Sequence, residues 1–167
     1  NNPVGTIVEK GKLRSFCKDV SRRVPVFVDE AYHELVEDPD YSSMVDLVGK
    51  GDNVIIARTF SKIFGLAGLR VGYGIAKPEI IKKFTRIQTN FAPISVLSLS
   101  AAIAAYKDTE YIDYCRSKNS EARSQLYEIL TKLGYFYVPS HTNFVPFRIN
   151  RKGRDFVADV LKHNIQI

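Results

Sequence analysis

Two short apolar runs, Val24 to Val28 and Asn53 to Ala57, constrain the fold of this chain more than any other feature. Continuous runs of this length, bounded by polar and turn residues, suit strands buried on both faces of a parallel sheet. Between them, Met44, Leu47 and Val48 give Ser42 to Lys50 a helical spacing, and Gly49-Lys50-Gly51-Asp52 reads as its stop and turn. The expected unit is therefore strand, helix, strand. Open α/β sheets collect ligands beyond the carboxyl ends of their strands. Asp29 follows the first run, and the second delivers Arg58, Thr59, Ser61 and Lys62 just beyond its carboxyl end, so Asp29 and Lys62 are expected to meet in one crevice.

Arg70 to Ala76 reads as a third strand whose glycines permit close packing, and Pro78 starts a helix expected to run to about Gln88. The region of Pro93 separates it from Ile94 to Tyr106, which is apolar on most sides and reads as a helix packed inside the protein. Glu110 to Leu133 is long and amphipathic, with a heavily charged face. After Gly134 the pattern changes to strands over Tyr135 to Val138 and Asn143 to Ile149, then a helix from about Gly153 to His163. A domain change is expected near residues 108 to 118, dividing the chain into 1–112 and 113–167. Residue 1 enters directly into an Asn-Pro-x-Gly turn, and Asn164 to Ile167 reads as the start of another strand. Both features suggest a fragment of a larger enzyme, cut at both ends.

At 167 residues, 45% hydrophobic and 25% charged, the composition is that of a soluble globular protein. The net charge of +6 raises the question of nucleic acid, but the basic residues alternate with acids through Lys77 to Arg86 and Arg116 to Lys132. That pattern describes solvated helix faces, and no nucleic-acid motif accompanies it. Phosphorylated small molecules also suit a basic chain. No apolar run reaches the roughly 18 residues that cross a bilayer, so no membrane association is expected. Cys17 and Cys115 stand apart with no CxxC pairing, and His33, His141 and His163 are scattered, so neither a disulfide framework nor a metal site is expected. The default location is the cytoplasm.

Lys62, eight residues before Arg70 and preceded by Thr59 and Ser61, gives the chain a distinctive set of reactive groups. An amine can condense with a carbonyl, hydroxyls and a guanidinium can hold a phosphate, and a buried carboxylate such as Asp29 can pair with a ring nitrogen. These are the parts that pyridoxal phosphate chemistry needs. Taken singly, each has a plainer reading. Asp29 could cap a turn, Thr59 and Ser61 could be turn residues, and Arg70 could be half of a surface ion pair.

The ordered motifs Asn2-Pro3-Val4-Gly5, Val28-Asp29-Glu30-Ala31-Tyr32, Thr59-Phe60-Ser61-Lys62, Gly68-Leu69-Arg70-Val71-Gly72-Tyr73 and Thr142-Asn143-Phe144 run through nearly the whole chain. With them the chain resembles the central portion of a fold-type I pyridoxal-phosphate aminotransferase of the histidinol-phosphate aminotransferase-like group. The resemblance implies an α/β fold, a mostly parallel sheet flanked by helices, followed by the start of a smaller α+β domain. It implies that Lys62 forms a Schiff base with pyridoxal 5'-phosphate and later shuttles a proton, and that Asp29 pairs with the pyridinium nitrogen. By the same resemblance Asn2 and Tyr32 hydrogen-bond the cofactor's phenolic oxygen, Thr59, Ser61 and Arg70 bind its phosphate, and Asn143 lies near the substrate carboxylate.

The implied reaction moves an amino group from a small-molecule donor, best matched by histidinol phosphate, to a 2-oxo acid, 2-oxoglutarate, in a homodimer. Thr89 to Ser95 departs from the Pro-aromatic-Asn sequence common in histidinol-phosphate enzymes. An aromatic or other amino-acid donor, decarboxylation of a phosphorylated amino acid, and a non-catalytic remnant therefore stand as alternatives. In the family, part of the phosphate cradle and the ring-stacking aromatic precede the Asn-Pro motif, and the carboxylate-clamping arginine follows the segment matched by residue 167.

Overall fold

The computed structural model describes residues 1–88 and 94–166, and in it the two apolar runs become neighbouring parallel strands. β1 (Val26–Asp29) and β2 (Val54–Thr59) pair with Val26 opposite Val54 and Asp29 opposite Ala57. β3 (Gly72–Ile75) runs antiparallel along the other side of β2, giving the order β1-β2-β3. Gly72 sits opposite Thr59, where an added Cβ would lie 2.8 Å from the Arg58 carbonyl oxygen. Only glycine lets the two backbones approach this closely.

One face of the sheet is covered by two helices. α1 (Lys10–Val20) places Leu13, Cys17 and Val20 along one stripe, and the Glu9 side chain caps it by accepting from the Gly11 and Lys12 amides. Sequence reading did not anticipate α1, although its apolar spacing is helical. α2 (Val45–Gly49) is shorter than the expected Ser42 to Lys50. Cys17, Val26, Met44, Leu47, Val54 and Ile56 close into one buried cluster between these elements. The expectation that β1 is buried on both faces is not met. It is an edge strand here, and Phe27, pointing away from the helices, is 63% exposed.

A second apolar cluster of Leu35, Phe60, Ile63, Phe64, Val71 and Ala102 lies beyond the carboxyl end of β2. α3 (Pro78–Gln88) has the extent its proline start implied. α4 (Val96–Lys107) forms, but it is not internal as expected: Ser98 and Ala102 are buried, whereas Val96 and Leu97 are each 78% exposed. Small side chains four residues apart let one stripe dock on the second cluster, and no described element covers the rest of its apolar surface. The expected break near Pro93 lies outside the described residues.

α5 (Thr109–Lys132) is capped by Asp108, which accepts from the Tyr111 amide, and it runs unbroken past residue 112. Its charges pair locally, as in Arg116 with Asp113 and Lys118 with Glu121. The two strands expected after Gly134 reduce to one antiparallel bridge, Tyr137 to Phe147, flanked by bonds from Val138 to Pro146 and from Arg148 to Phe136. Pro139 and Pro146 remove the backbone donors that a longer ladder would require. α6 (Gly153–Leu161) ends earlier than expected. The Asn164 and Ile165 amides bond back to the Leu161 and Val160 carbonyls and close α6; residues 164–166 are not in a strand, and Ile167, the last residue of the expected strand start, lies outside the described residues. No described helix is long and apolar enough to cross a membrane.

Candidate active site

The chain leaves β2 as Thr59-Phe60-Ser61-Lys62-Ile63-Phe64, and its apolar members anchor the loop. Phe60, Ile63 and Phe64 are buried in the second cluster, the Phe60 amide donates to the Val71 carbonyl, and the Leu66 amide donates to the Phe60 carbonyl. Gly65, at a φ of +69°, turns the chain at the end of this loop. With those residues fixed inward, Thr59, Ser61 and Lys62 are left half-buried on the open side.

On that side lies a cleft of about 460 Å³ lined by Asp29, Ala31, Ala57, Arg58, Thr59, Ser61, Lys62, Ala67 and Arg70. Five side chains singled out from the sequence (Asp29, Thr59, Ser61, Lys62 and Arg70) thus meet at the carboxyl ends of two parallel strands. The expected burial of Asp29 is not observed. Asp29 is exposed at the open end of an edge strand, where one carboxylate oxygen accepts from the Ala31 amide at 2.9 Å. The Thr59 hydroxyl oxygen accepts from the Ser61 amide at 3.0 Å, a turn contact that leaves its O–H free to donate. Arg70 ends a short 3₁₀ turn at φ 50°, ψ 49°, and its Nη1 donates to the Ala67 carbonyl at 2.7 Å. Arg70 lines the cleft from a left-handed conformation that is costly at a non-glycine residue.

Tyr32 stands beside this group. Lys62 Nζ lies 5.2 Å from the centre of the Tyr32 ring, Asn2 Nδ2 donates to the Tyr32 hydroxyl at 3.4 Å, and Phe144 meets the same ring edge-on at 5.6 Å. Asn2 is thereby joined to the site through Tyr32. Asn143 is exposed and does not line the cleft, but its neighbours hold the loop in place. The Thr142 carbonyl accepts from Asn119 Nδ2 at 3.1 Å and Arg123 Nη1 at 3.0 Å. Elsewhere the Tyr127 and Tyr137 rings stack at 4.8 Å, whereas Tyr106, Tyr111 and Tyr114 are exposed.

A polar cluster that sequence reading left without a role lies directly beneath the cleft. Glu30, 4% exposed, accepts from Arg58 Nε and Nη2, the Ser43 hydroxyl and the Met44 amide, with distances from 2.8 to 3.0 Å. Next to it, His33 Nδ1 lies 3.1 Å from the Tyr41 hydroxyl. Burial first, and then the Arg58 charge, hold the His33 imidazole below its ordinary pKa, and burial raises that of Tyr41. The sequence signal for this cluster was an acid and an arginine, each adjoining the carboxyl end of an apolar run.

A family model described as aminotransferase class I and II matches residues 1–167. The histidinol-phosphate aminotransferase of Moorella thermoacetica is 43% identical over 166 residues, which cover 99% of this chain and 43% of that protein. The Brevibacillus brevis protein of the same name is 44% identical over 145 residues, covering 87% of this chain and 40% of that protein. Among solved structures, the histidinol-phosphate aminotransferase from Sinorhizobium meliloti in complex with pyridoxal-5'-phosphate superposes with a TM-score of 0.90 at 31% identity. That match covers 99% of this chain and 46% of the other. The chain spans less than half the length of the curated relatives it matches.

Proposed function

The chain belongs to the class I and II aminotransferase family, and from that membership we propose that the intact protein is a pyridoxal-phosphate-dependent aminotransferase with histidinol phosphate as amino donor and 2-oxoglutarate as acceptor. The observation that carries the reading is the convergence of Asp29, Thr59, Ser61, Lys62 and Arg70 on one cleft. A carboxylate, two hydroxyls, an amine and a guanidinium are the donor set that a phosphorylated pyridine aldehyde requires. The residues present therefore fit the cofactor. The donor is inferred from the names of the relatives at 43% and 44% identity and from the solved structure at 31%.

When bound, pyridoxal phosphate supplies an aldehyde for the amine and an electron-accepting ring that eases loss of the substrate's α-proton. Arg70, with Thr59 and Ser61, would hold the phosphate by charge-assisted and hydroxyl hydrogen bonds. Asp29 would offer an acceptor to the ring nitrogen, and Tyr32 and Asn2 would offer donors to the phenolic oxygen. Lys62 would supply the amine that takes the aldehyde and the base that moves the substrate's α-proton. Asn143 helps to position the substrate carboxylate.

Residues 1–112 are assigned to the large cofactor-binding domain and 113–167 to the smaller one, and the intact protein is assigned as a cytoplasmic homodimer. The test is spectral cycling of the intact protein loaded with pyridoxal phosphate. Histidinol phosphate alone should bleach the visible band, and 2-oxoglutarate should then restore it. Cycling with an aromatic amino acid but not with histidinol phosphate would move the donor assignment, and carbon dioxide release without cycling would replace transamination by decarboxylation.

A further inference from the structure

We infer that the buried Glu30–Arg58 pair is a positioning device for the cofactor site, setting the relative height of the two strand ends that carry Asp29 and Lys62. This inference rests on the cofactor reading above and deepens it. Glu30 follows Asp29 at the end of β1, and Arg58 precedes Thr59 at the end of β2. The backbone already joins these ends, because the Glu30 amide donates to the Ala57 carbonyl at 2.9 Å. The side chains add a fork, Arg58 Nε at 3.0 Å and Nη2 at 2.8 Å, both on Glu30 Oε2.

Ser43 completes the unit: its hydroxyl donates to the Glu30 carboxylate and accepts from Arg58 Nη2 at 3.0 Å. The Met44 amide occupies Glu30 Oε1 at 2.9 Å. The Glu30 carbonyl accepts from the His33 amide at 3.0 Å, closing the turn that presents Tyr32. One carboxylate and its own backbone thus fix the positions of Asp29, Tyr32 and the Thr59–Lys62 loop relative to each other.

Stability alone does not account for a charge pair at this depth. The side chains of Arg58 and Glu30 are only 13% and 3% exposed, and an apolar pair of similar volume often serves a core equally well or better. What an apolar pair cannot supply is directional register. Two strand ends held by a planar fork cannot slide against each other without breaking hydrogen bonds inside the protein. A cofactor gripped from both strands depends on that register, because misplacement by about 1 Å can cost on the order of 100-fold in an oriented site.

The experiment uses the intact protein with Glu30→Gln and, separately, Arg58→Lys, each checked for folding by far-ultraviolet circular dichroism. Pyridoxal phosphate affinity is read by absorbance titration, and ring orientation by the induced circular dichroism of the cofactor band. The wild type should bind the cofactor. The folded variants should bind it on the order of 10- to 100-fold more weakly, with a diminished or inverted induced band. Glu30→Gln is the milder change, and if it fails to fold, Arg58→Lys decides the matter on the same two readouts. A folded variant with wild-type affinity and an unchanged band would overturn the inference, as would loss of folding in both, which would assign the pair to folding alone. Absence of cofactor binding in the wild type would instead overturn the cofactor reading itself, and the inference with it.

Discussion

Lys62 holds its Nζ 5.2 Å from the centre of the Tyr32 ring, and the Tyr32 hydroxyl accepts from Asn2 Nδ2 at 3.4 Å. A residue from the start of the chain is thereby joined to the loop after β2 through one aromatic ring. Tyr32→Phe keeps the ring beside Lys62 and deletes the hydroxyl. Loss of one neutral hydrogen bond, about 0.5–1.5 kcal/mol, should weaken pyridoxal phosphate binding roughly 2- to 13-fold by absorbance titration of the intact protein. An unchanged affinity would remove the hydroxyl from the cofactor site.

Arg70→Ala separates phosphate recognition from everything else in the cleft. A charge-assisted contact of about 1.5–3 kcal/mol predicts a loss of roughly 10- to 150-fold for pyridoxal phosphate. Pyridoxal, which lacks the phosphate, should bind variant and wild type alike. Equal losses for the two compounds would mean that Arg70 shapes the loop and does not contact the phosphate.

Leu47 is fully buried between α2 and the sheet. Leu47→Ala should cost about 2–5 kcal/mol, since the lost transfer energy adds to that of the cavity left behind. A lowered thermal midpoint of the intact protein with unaltered cofactor chemistry is the expected result. A midpoint equal to that of the wild type would contradict the packing described for this layer.

His33 should make the fold acid-sensitive. Its pKa is lowered in the folded state, first by burial and then by Arg58, so the unfolded chain binds the proton more readily. Stability is then fully present above the ordinary value near 6.5 and is lost as pH falls below it. The thermal midpoint of the wild type should drop between pH 7.5 and pH 5.5, and His33→Gln should flatten that part of the profile. A slope unaffected by the substitution would place the acid sensitivity elsewhere.

The path from sequence to site was legible where a side chain's role depends on its own strand. The apolar runs located β1 and β2, and their order placed Asp29, Thr59, Ser61 and Lys62 at one cleft. Pro78 marked the start of α3 for the same local reason. What depended on neighbours was not legible. Burial of Phe27 and of the apolar surface of α4 requires a covering element, and strand length after Gly134 was limited by Pro139, directly after the first candidate strand, and by Pro146 within the second. The Glu30–Arg58 pair was invisible for a related reason: partners 28 residues apart meet only once strand register is fixed. α1 carried its helical spacing openly in Leu13, Cys17 and Val20, and was missed because its charged residues dominate the segment.

The central claim is that Lys62 is the residue that captures pyridoxal phosphate. Borohydride reduction of the cofactor-loaded intact protein, followed by peptide mass mapping of wild type and Lys62→Ala, tests it directly. The account predicts a phosphopyridoxyl adduct on Lys62 in the wild type and no site-specific adduct in the variant. A stoichiometric adduct on a different lysine, or one that persists in Lys62→Ala, would contradict it.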